Sequence, residues 1–249
     1  MEIVYTIWLR SMKRYIRSKS RIVGSIAMPL FLLLFLGFGL NSVVSTNSLG
    51  QDYILFLAPG MIAMSVLFTS IFAGTQIIWD KQFGFLKETL VAPVTRLEIM
   101  LGQTAGGATT AVIQGIILMV FAVLLGLKVA NLAGFLIAFA FMVVIGIAFT
   151  AFGIAIASRM EDMTGFQLIM NFIIFPIFGL SGALFPISSL PGWMTVITML
   201  DPLTYGVEGI RYGLTGVSQI NPLLCGAVIA GFAAVMTVAG AYLFRKISI

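Results

Sequence analysis

The stretch DKQFGFLKETLVAPVTR, residues 80–96, carries Asp80, Lys81, Lys87, Glu88 and Arg96 between two apolar runs, each long enough to cross a bilayer. Lipid cannot solvate so many charges in one short segment, so it must sit in water at a membrane surface or dock on another protein. Gly84 opens it and Pro93 closes it, and Leu86, Lys87, Glu88 and Leu90 give a short helical pattern between them. A compact, amphipathic helix kept on one side of a membrane protein is suited to presentation to a partner. The rest of the chain reads as the frame for that presentation.

Outward from this loop, six runs meet the length and apolarity of membrane spans: 22–40, 53–78, 97–127, 132–157, 165–185 and 222–244. Pro29 and Pro176 fall inside the first and fifth, and the second is long enough to tilt or to break near Pro59–Gly60. Composition agrees. Of 249 residues, 60% are hydrophobic and 9% charged, against about 25% charged in a soluble domain. Mean hydropathy is +1.10. The expectation is an all-α polytopic membrane protein forming one transmembrane domain over 1–249.

Orientation follows from Lys and Arg. With both termini on one side, that side holds six cations in residues 1–21, three in 80–96, Arg159, Arg245 and Lys246. The opposite side holds only Lys128 and Arg211. Both termini and the 80–96 loop are therefore expected to be cytoplasmic. The pI near 9.6 becomes a signal of topology, and a nucleic-acid partner is not expected. The charged N-terminus shows no cleavable signal pattern, and the single cysteine, Cys225, can form no internal disulfide.

Two segments are not spans. In residues 1–21, Ile3, Val4, Ile7, Trp8, Met12, Tyr15 and Ile16 recur at helical spacing while the basic residues fill the other face. Such a helix lies in the headgroup region, anchored to anionic lipid, and also suits contact with a cytoplasmic partner. Residues 186–221 contain apolar stretches too short to span, broken at Asp201–Pro202. They read as a re-entrant outer hairpin of two short helices, with Asp201 as N-cap of the second. Glu208 and Arg211, three apart, can pair on one face of it.

Chemistry-bearing sets are absent from the sequence. It has no histidine and no Gly-Lys pair, so neither a catalytic triad with histidine nor a phosphate-cradling G-x-x-x-x-G-K-[ST] loop can be built. No catalytic residues, metal ligands or bound cofactor are expected in this chain. Polar residues in the spans are Gln76, Gln103, Gln114 and Asn171, with Thr69, Thr75, Thr104, Thr109 and Thr110. Each suits an interhelical hydrogen bond before a substrate contact. No acid is read deep in a span, which argues against proton- or sodium-coupled transport. Small residues four apart, among them Gly102 and Gly106, Gly153 and Ala157, Gly179 and Ala183, permit close packing within or between subunits.

The loop G84-F-L-K-E88-T-L-V-A-P93-V-T-R96 and the hairpin D201-P-L-T-Y-G-V-E208-G-I-R211, set in this topology, resemble the membrane subunit of type-2 ABC transporters, the drug, lipo-oligosaccharide and polysaccharide export permeases. Asp201 stands where the family frequently has Asn. The resemblance covers essentially the whole chain and implies a subunit of an ATP-driven exporter in the plasma (inner) membrane. It implies a dimer, with itself or a similar permease, and two copies of a separate ATPase that hold ATP and magnesium. By it, Gly84, Leu86, Lys87, Glu88, Leu90 and Pro93 form the ATPase-coupling helix. Asp201, Pro202, Glu208 and Arg211 belong to an outer gate hairpin, while Phe35, Asn171 and Phe175 are candidates for a substrate path. A channel or scaffold that needs no ATPase is the reading from another class.

Overall fold

The computed structural model describes residues 2–44, 53–85, 88–89, 94–127, 129 and 131–247. Among these residues ten α-helices follow one another: α1 (Glu2–Arg17), α2 (Lys19–Val44), α3 (Tyr53–Ala73), α4 (Thr75–Gln82), α5 (Arg96–Leu124), α6 (Leu132–Ala157), α7 (Met163–Leu180), α8 (Gly192–Leu200), α9 (Pro202–Thr215) and α10 (Pro222–Arg245). A single 3-10 turn, Ile187–Ser189, precedes α8, and no strand occurs among the described residues. Six helical segments are long and apolar enough to cross a membrane: Ile22–Gly39, Tyr53–Gln82, Arg96–Leu124, Leu132–Ala157, Met163–Leu180 and Pro222–Arg245.

Helix boundaries differ from the hydropathy runs where local chemistry intervenes. The second span does not break at Pro59, which is buried inside an unbroken α3. The interruption falls at Gly74, where the chain presses on α6. A methyl group on Gly74 would lie 2.5 Å from the carbonyl carbon of Gly153. Helix then continues past Ile78 to Gln82, because the charge of Asp80 is met within the fold. The third span stops at Leu124 rather than Leu127, since Gly126 (φ +108) reverses the chain and Leu127 N–H donates to Ala122 O. The fifth stops at Leu180 rather than Phe185, before Gly182 (φ +69).

Buried α3 and α6 form the centre, with α5, α9 and α10 packed around α6 and with α2 and α5 against α3. Glycine makes these approaches close. Gly209 and Gly213 of α9 meet the Phe141 ring and the Ala138 backbone, while Gly206 meets Ile145. α9 thus runs antiparallel to the first half of α6, and its start at Pro202 lies beyond the level of Ile145, near the middle of that helix. α1 lies on α5, with Gly102 against Ile7 and Gly106 against Ser11. Trp8 Nε1–H donates to Thr109 Oγ1 at 3.0 Å. α2 and α7 are packed less completely. Phe31, Phe35 and Phe38 on α2, and Phe172 and Phe175 on α7, face outward.

Candidate functional site: two helix-end clamps and an anchored hairpin

The segment that opens at Gly84 hangs between two fixed points. The first is the end of α4. Asp80, 3% exposed, accepts from Arg10 of α1 (3.0 and 3.4 Å), from Gln76 one turn back (2.7 Å) and from Gln103 of α5 (3.4 Å). One carboxylate therefore joins α1, α4 and α5. Arg14 donates to Gln76 Oε1 from the same face of α1. Lys81 Nζ caps the end of α6 by donating to Ser158 O (2.8 Å) and Met160 O (3.2 Å), and Gln82 Nε2 donates to Glu161 O.

The second fixed point is the start of α5. Thr95 and Glu98 form a reciprocal capping box, Glu98 N–H donating to Thr95 Oγ1 while Thr95 N–H donates to Glu98 Oε2. Arg96 donates to Arg245 O (2.6 Å) and Ile247 O (2.9 Å), tying α5 to the chain's C-terminal end. Between these points Gly84 takes φ +78, a left-handed conformation that glycine adopts without strain. Glu88 N–H donates to Gly84 O (3.3 Å), and Glu88 is exposed. Leu86, Lys87, Leu90 and Pro93 lie outside the described residues.

Beside this segment is an aromatic cluster that sequence reasoning passed over. Trp79 and Phe83 stack at 5.4 Å, Arg10 sits 5.3 Å from the Phe85 ring centroid, and all three rings are largely exposed. Alternating Phe83-Gly84-Phe85 within a charged loop was its sequence signal. The Asp80 contacts were legible only in part. Gln76 and Asp80 stand at i, i+4 on one helix, whereas Arg10 is seventy residues away and gave no sign.

At the opposite end, α8 and α9 form a helical hairpin. Asp201 caps α9, accepting from Leu203 N–H at 2.9 Å. Thr204 and Tyr205 hydroxyls donate back to Thr198 O and Met199 O of α8. The second oxygen of Asp201, Oδ2, is buried without a partner among the described residues. Burial pushes this carboxyl up to about 7, against the smaller opposing effect of the Leu203 amide.

Glu208, with 0% exposure, pairs with Arg211 one turn on. Glu208 also accepts from Gln219 N–H (2.6 Å), while Arg211 donates to Gly182 O (3.0 Å) and stands 4.1 Å from the centroid of Phe56. The pair thus fastens the hairpin to α3, to the turn after α7 and to the strand of chain before α10. Tyr53 O–H adds a bond to Leu184 O (2.8 Å).

These ions correct the sequence reading of a chain without buried charge. Asp80, Glu208 and Arg211 are all buried, and each is matched by partners from other segments, which hydropathy cannot reveal. Of the candidate path residues, Phe35 stacks on Phe31 (5.5 Å) and Phe175 meets Phe68 edge-on (5.9 Å). Both rings and Asn171 remain exposed, on α2 and α7.

An all-helical, multi-pass protein with clamped helix ends at one side and an ion-anchored hairpin at the other has the build of a membrane transport subunit. The chain belongs to the ABC-2 type transporter family, which it matches over residues 2–215. Nodulation protein J of Rhizobium meliloti (strain 1021) is 30% identical over 219 residues, covering 85% of this chain and 82% of that protein. The inner membrane transport permease YadH of Escherichia coli (strain K12) is 25% identical over 219 residues, 86% of this chain and 84% of YadH. The ycf38 transport permease of Cyanophora paradoxa is 28% identical over 193 residues, 77% and 67% of the two chains. The chain is accordingly a transporter permease subunit, its relatives being permeases rather than enzymes, and the family implies an ABC ATPase as partner.

Proposed function

We propose that this chain is the membrane half of an ATP-driven exporter, moving a lipid-like, drug-like or glycan-type substrate outward by alternating access. Two copies, or one copy and a similar permease, would assemble with two separate ATPase subunits that hold ATP and magnesium. The segment from Gly84 to Pro93 is the coupling helix, and Leu86, Lys87, Glu88 and Leu90 make the contact. The observation that carries this reading is the suspension of the segment between two clamped helix ends. Load that arrives at those ends passes to α4 through Asp80 and Lys81, and to α5 through Thr95 and Arg96.

In this reading both termini and the coupling segment are cytoplasmic, in the plasma (inner) membrane, as the distribution of Lys and Arg supports. α1 lies at that interface, bracing the coupling segment and contacting lipid headgroups. The hairpin α8–α9 enters from the outer face, and its placement along the first half of α6 supports a tip deep in the outer leaflet. Asp201, Pro202, Glu208 and Arg211 shape it as the exit gate. α2 and α7 flank the path, with Phe35, Asn171 and Phe175 along it.

The test is co-purification in mild detergent with the cognate ATPase co-expressed. The wild-type chain is expected to bring down a soluble ATPase whose activity is retained, and Glu88→Arg to lose it. A wild-type chain that captures no ATPase would favour a channel or scaffold that works without one.

A further inference from the structure

Between α1, α2, α3, α4, α5 and α7 lies a cavity of about 560 Å³, with the exposed Met28 and Trp79 in its lining. Its two walls differ in chemistry. One, from α1 and α5, presents Ser11, Tyr15, Gln103, Thr110 and Gln114; the other, from α2, α3 and α7, is mainly apolar, with Met28, Pro29, Phe68, Phe72 and Met163 beside Ser25, Thr69 and Gln167. The polar wall is unusually short of partners. Gln114 is 0% exposed, yet neither its amide nitrogen nor its amide oxygen has a hydrogen-bond partner among the described residues. The Tyr15 hydroxyl lies close enough to interact with it, and Gln103 Oε1 and Thr69 Oγ1 are unmatched among the described residues. Buried polar groups are rarely left so. Here donors and acceptors converge on one space from three helices.

We infer that this cavity is a ligand site, taking a molecule with neutral hydrogen-bonding groups on one side and apolar surface on the other. Its volume falls in the range of small-molecule sites, which pair an apolar lining with a few convergent polar groups. Charge decides the head group. The charged residues of the lining are Arg10, Arg14 and Asp80; Arg10 pairs with Asp80 and Arg14 donates to Gln76, so all three are engaged at the α4 end of the cavity. Around Gln114, in the middle of α5, no lining residue is charged, so an ionic head group there would lose its water and gain no counter-charge. Hydroxyl or amide groups lose little, because Gln114 can donate and accept at once. That this ligand is the transported substrate, loaded from the coupling-segment side, rests on the exporter reading; the site itself does not.

The experiment uses the full chain in lipid nanodiscs without any ATPase, so that it reads the site independently of the coupling test. Of the three tryptophans, Trp79 lines the cavity; Trp8→Phe and Trp193→Phe leave it as sole reporter. A brominated alkyl β-glucoside is titrated against alkyl phosphate and alkyltrimethylammonium probes of the same brominated chain. Saturable quenching is expected with the glucoside, and binding about tenfold weaker with either charged head group. Gln114→Leu should weaken glucoside binding by about tenfold. Gly24→Phe tests the same site by filling it, since Gly24 lines the cavity and a Cβ there meets nothing within 4 Å. It should block binding even if Gln114→Leu fails to fold. Val238→Ala, on the exposed face of α10 and away from the cavity, should change nothing. Quenching that never saturates, that is equal for all three head groups, or that survives Gly24→Phe would overturn the inference and leave partition into lipid or a water-filled cleft. Loss with Val238→Ala alone would move the site to the exposed face of α10.

Discussion

At the scale of single residues, a few ions hold this apolar chain in register, and their removal should separate anchoring from function. Glu208 and Arg211 are both buried, so truncating one strands the other. Arg211→Leu should cost about 3–5 kcal/mol of stability, read as a fall in melting temperature in detergent, and Glu208→Gln should cost less because Gln can still accept from Gln219 N–H. Asp80→Ala frees Arg10, Gln76 and Gln103 together, but Arg10 is 40% exposed and water compensates it. About 1–3 kcal/mol is expected, together with looser ATPase stimulation than in wild type, measured as ATP hydrolysed per substrate moved. Asp201 carries a dependence on pH. Its folded pKa of about 7 lies above the ordinary carboxyl value, so the folded chain holds a proton that the unfolded chain releases. Stability should therefore fall as pH rises from about 4 to 7. Asp201→Asn, which keeps a capping oxygen, should remove that part of the slope; an identical pH profile in the variant would sink the assignment.

At the scale of elements, close backbone contact does what hydrophobic burial cannot do between helices in lipid. Gly74 stands against the Gly153 carbonyl, and a methyl group on Gly153 would lie 2.4 Å from Ile71 O. Gly74→Leu or Gly153→Leu should force α4 and α6 apart and lower the melting temperature by several degrees, whereas Gly179→Leu and Gly231→Leu, which face open space, should not. Equal effects at all four would show that helix propensity, not proximity, is at stake. This contrast marks what the sequence could disclose. The six spans were legible because lipid demands long apolar runs, and Asp201 was legible as a cap because Asp-Pro at a helix start has one local solution. The same small-residue spacing at Gly153 and Gly179, however, gave no hint that one is packed and the other open. Asp80 was assigned to a watery loop because charge was weighed locally, while its partners come from α1 and α5. Of the two readings open for the second span, a tilt or a break near Pro59–Gly60, no break occurs there and the interruption falls at Gly74, for proline is tolerated inside a helix that neighbours enclose.

At the scale of the whole molecule, α7 poses the remaining question. It carries Phe172, 83% exposed, beside Asn171 and Gln167, also exposed, so its outward face is polar as well as aromatic. Lipid does not satisfy an amide, and polar residues in spans face protein or water. α2 contributes Phe31, Phe35 and Phe38 to an exposed face of its own, with its cavity-lining residues Ser25 and Met28 nearer its start. α10 also exposes large side chains, Val235, Val238 and Tyr242, but no amide. If two permease chains meet, they should meet through α2 and α7 rather than α10. The native cysteine, Cys225, is buried, so single exposed cysteines can be introduced against a quiet background. Phe35→Cys and Phe172→Cys are expected to yield a cross-linked dimer in native membranes with a short thiol-specific bifunctional reagent, and Val238→Cys is expected to stay monomeric on denaturing gels. Dimer from Val238→Cys alone would place the contact on α10 and leave α2 and α7 to lipid. The amides of Gln167 and Asn171 would then require a different partner.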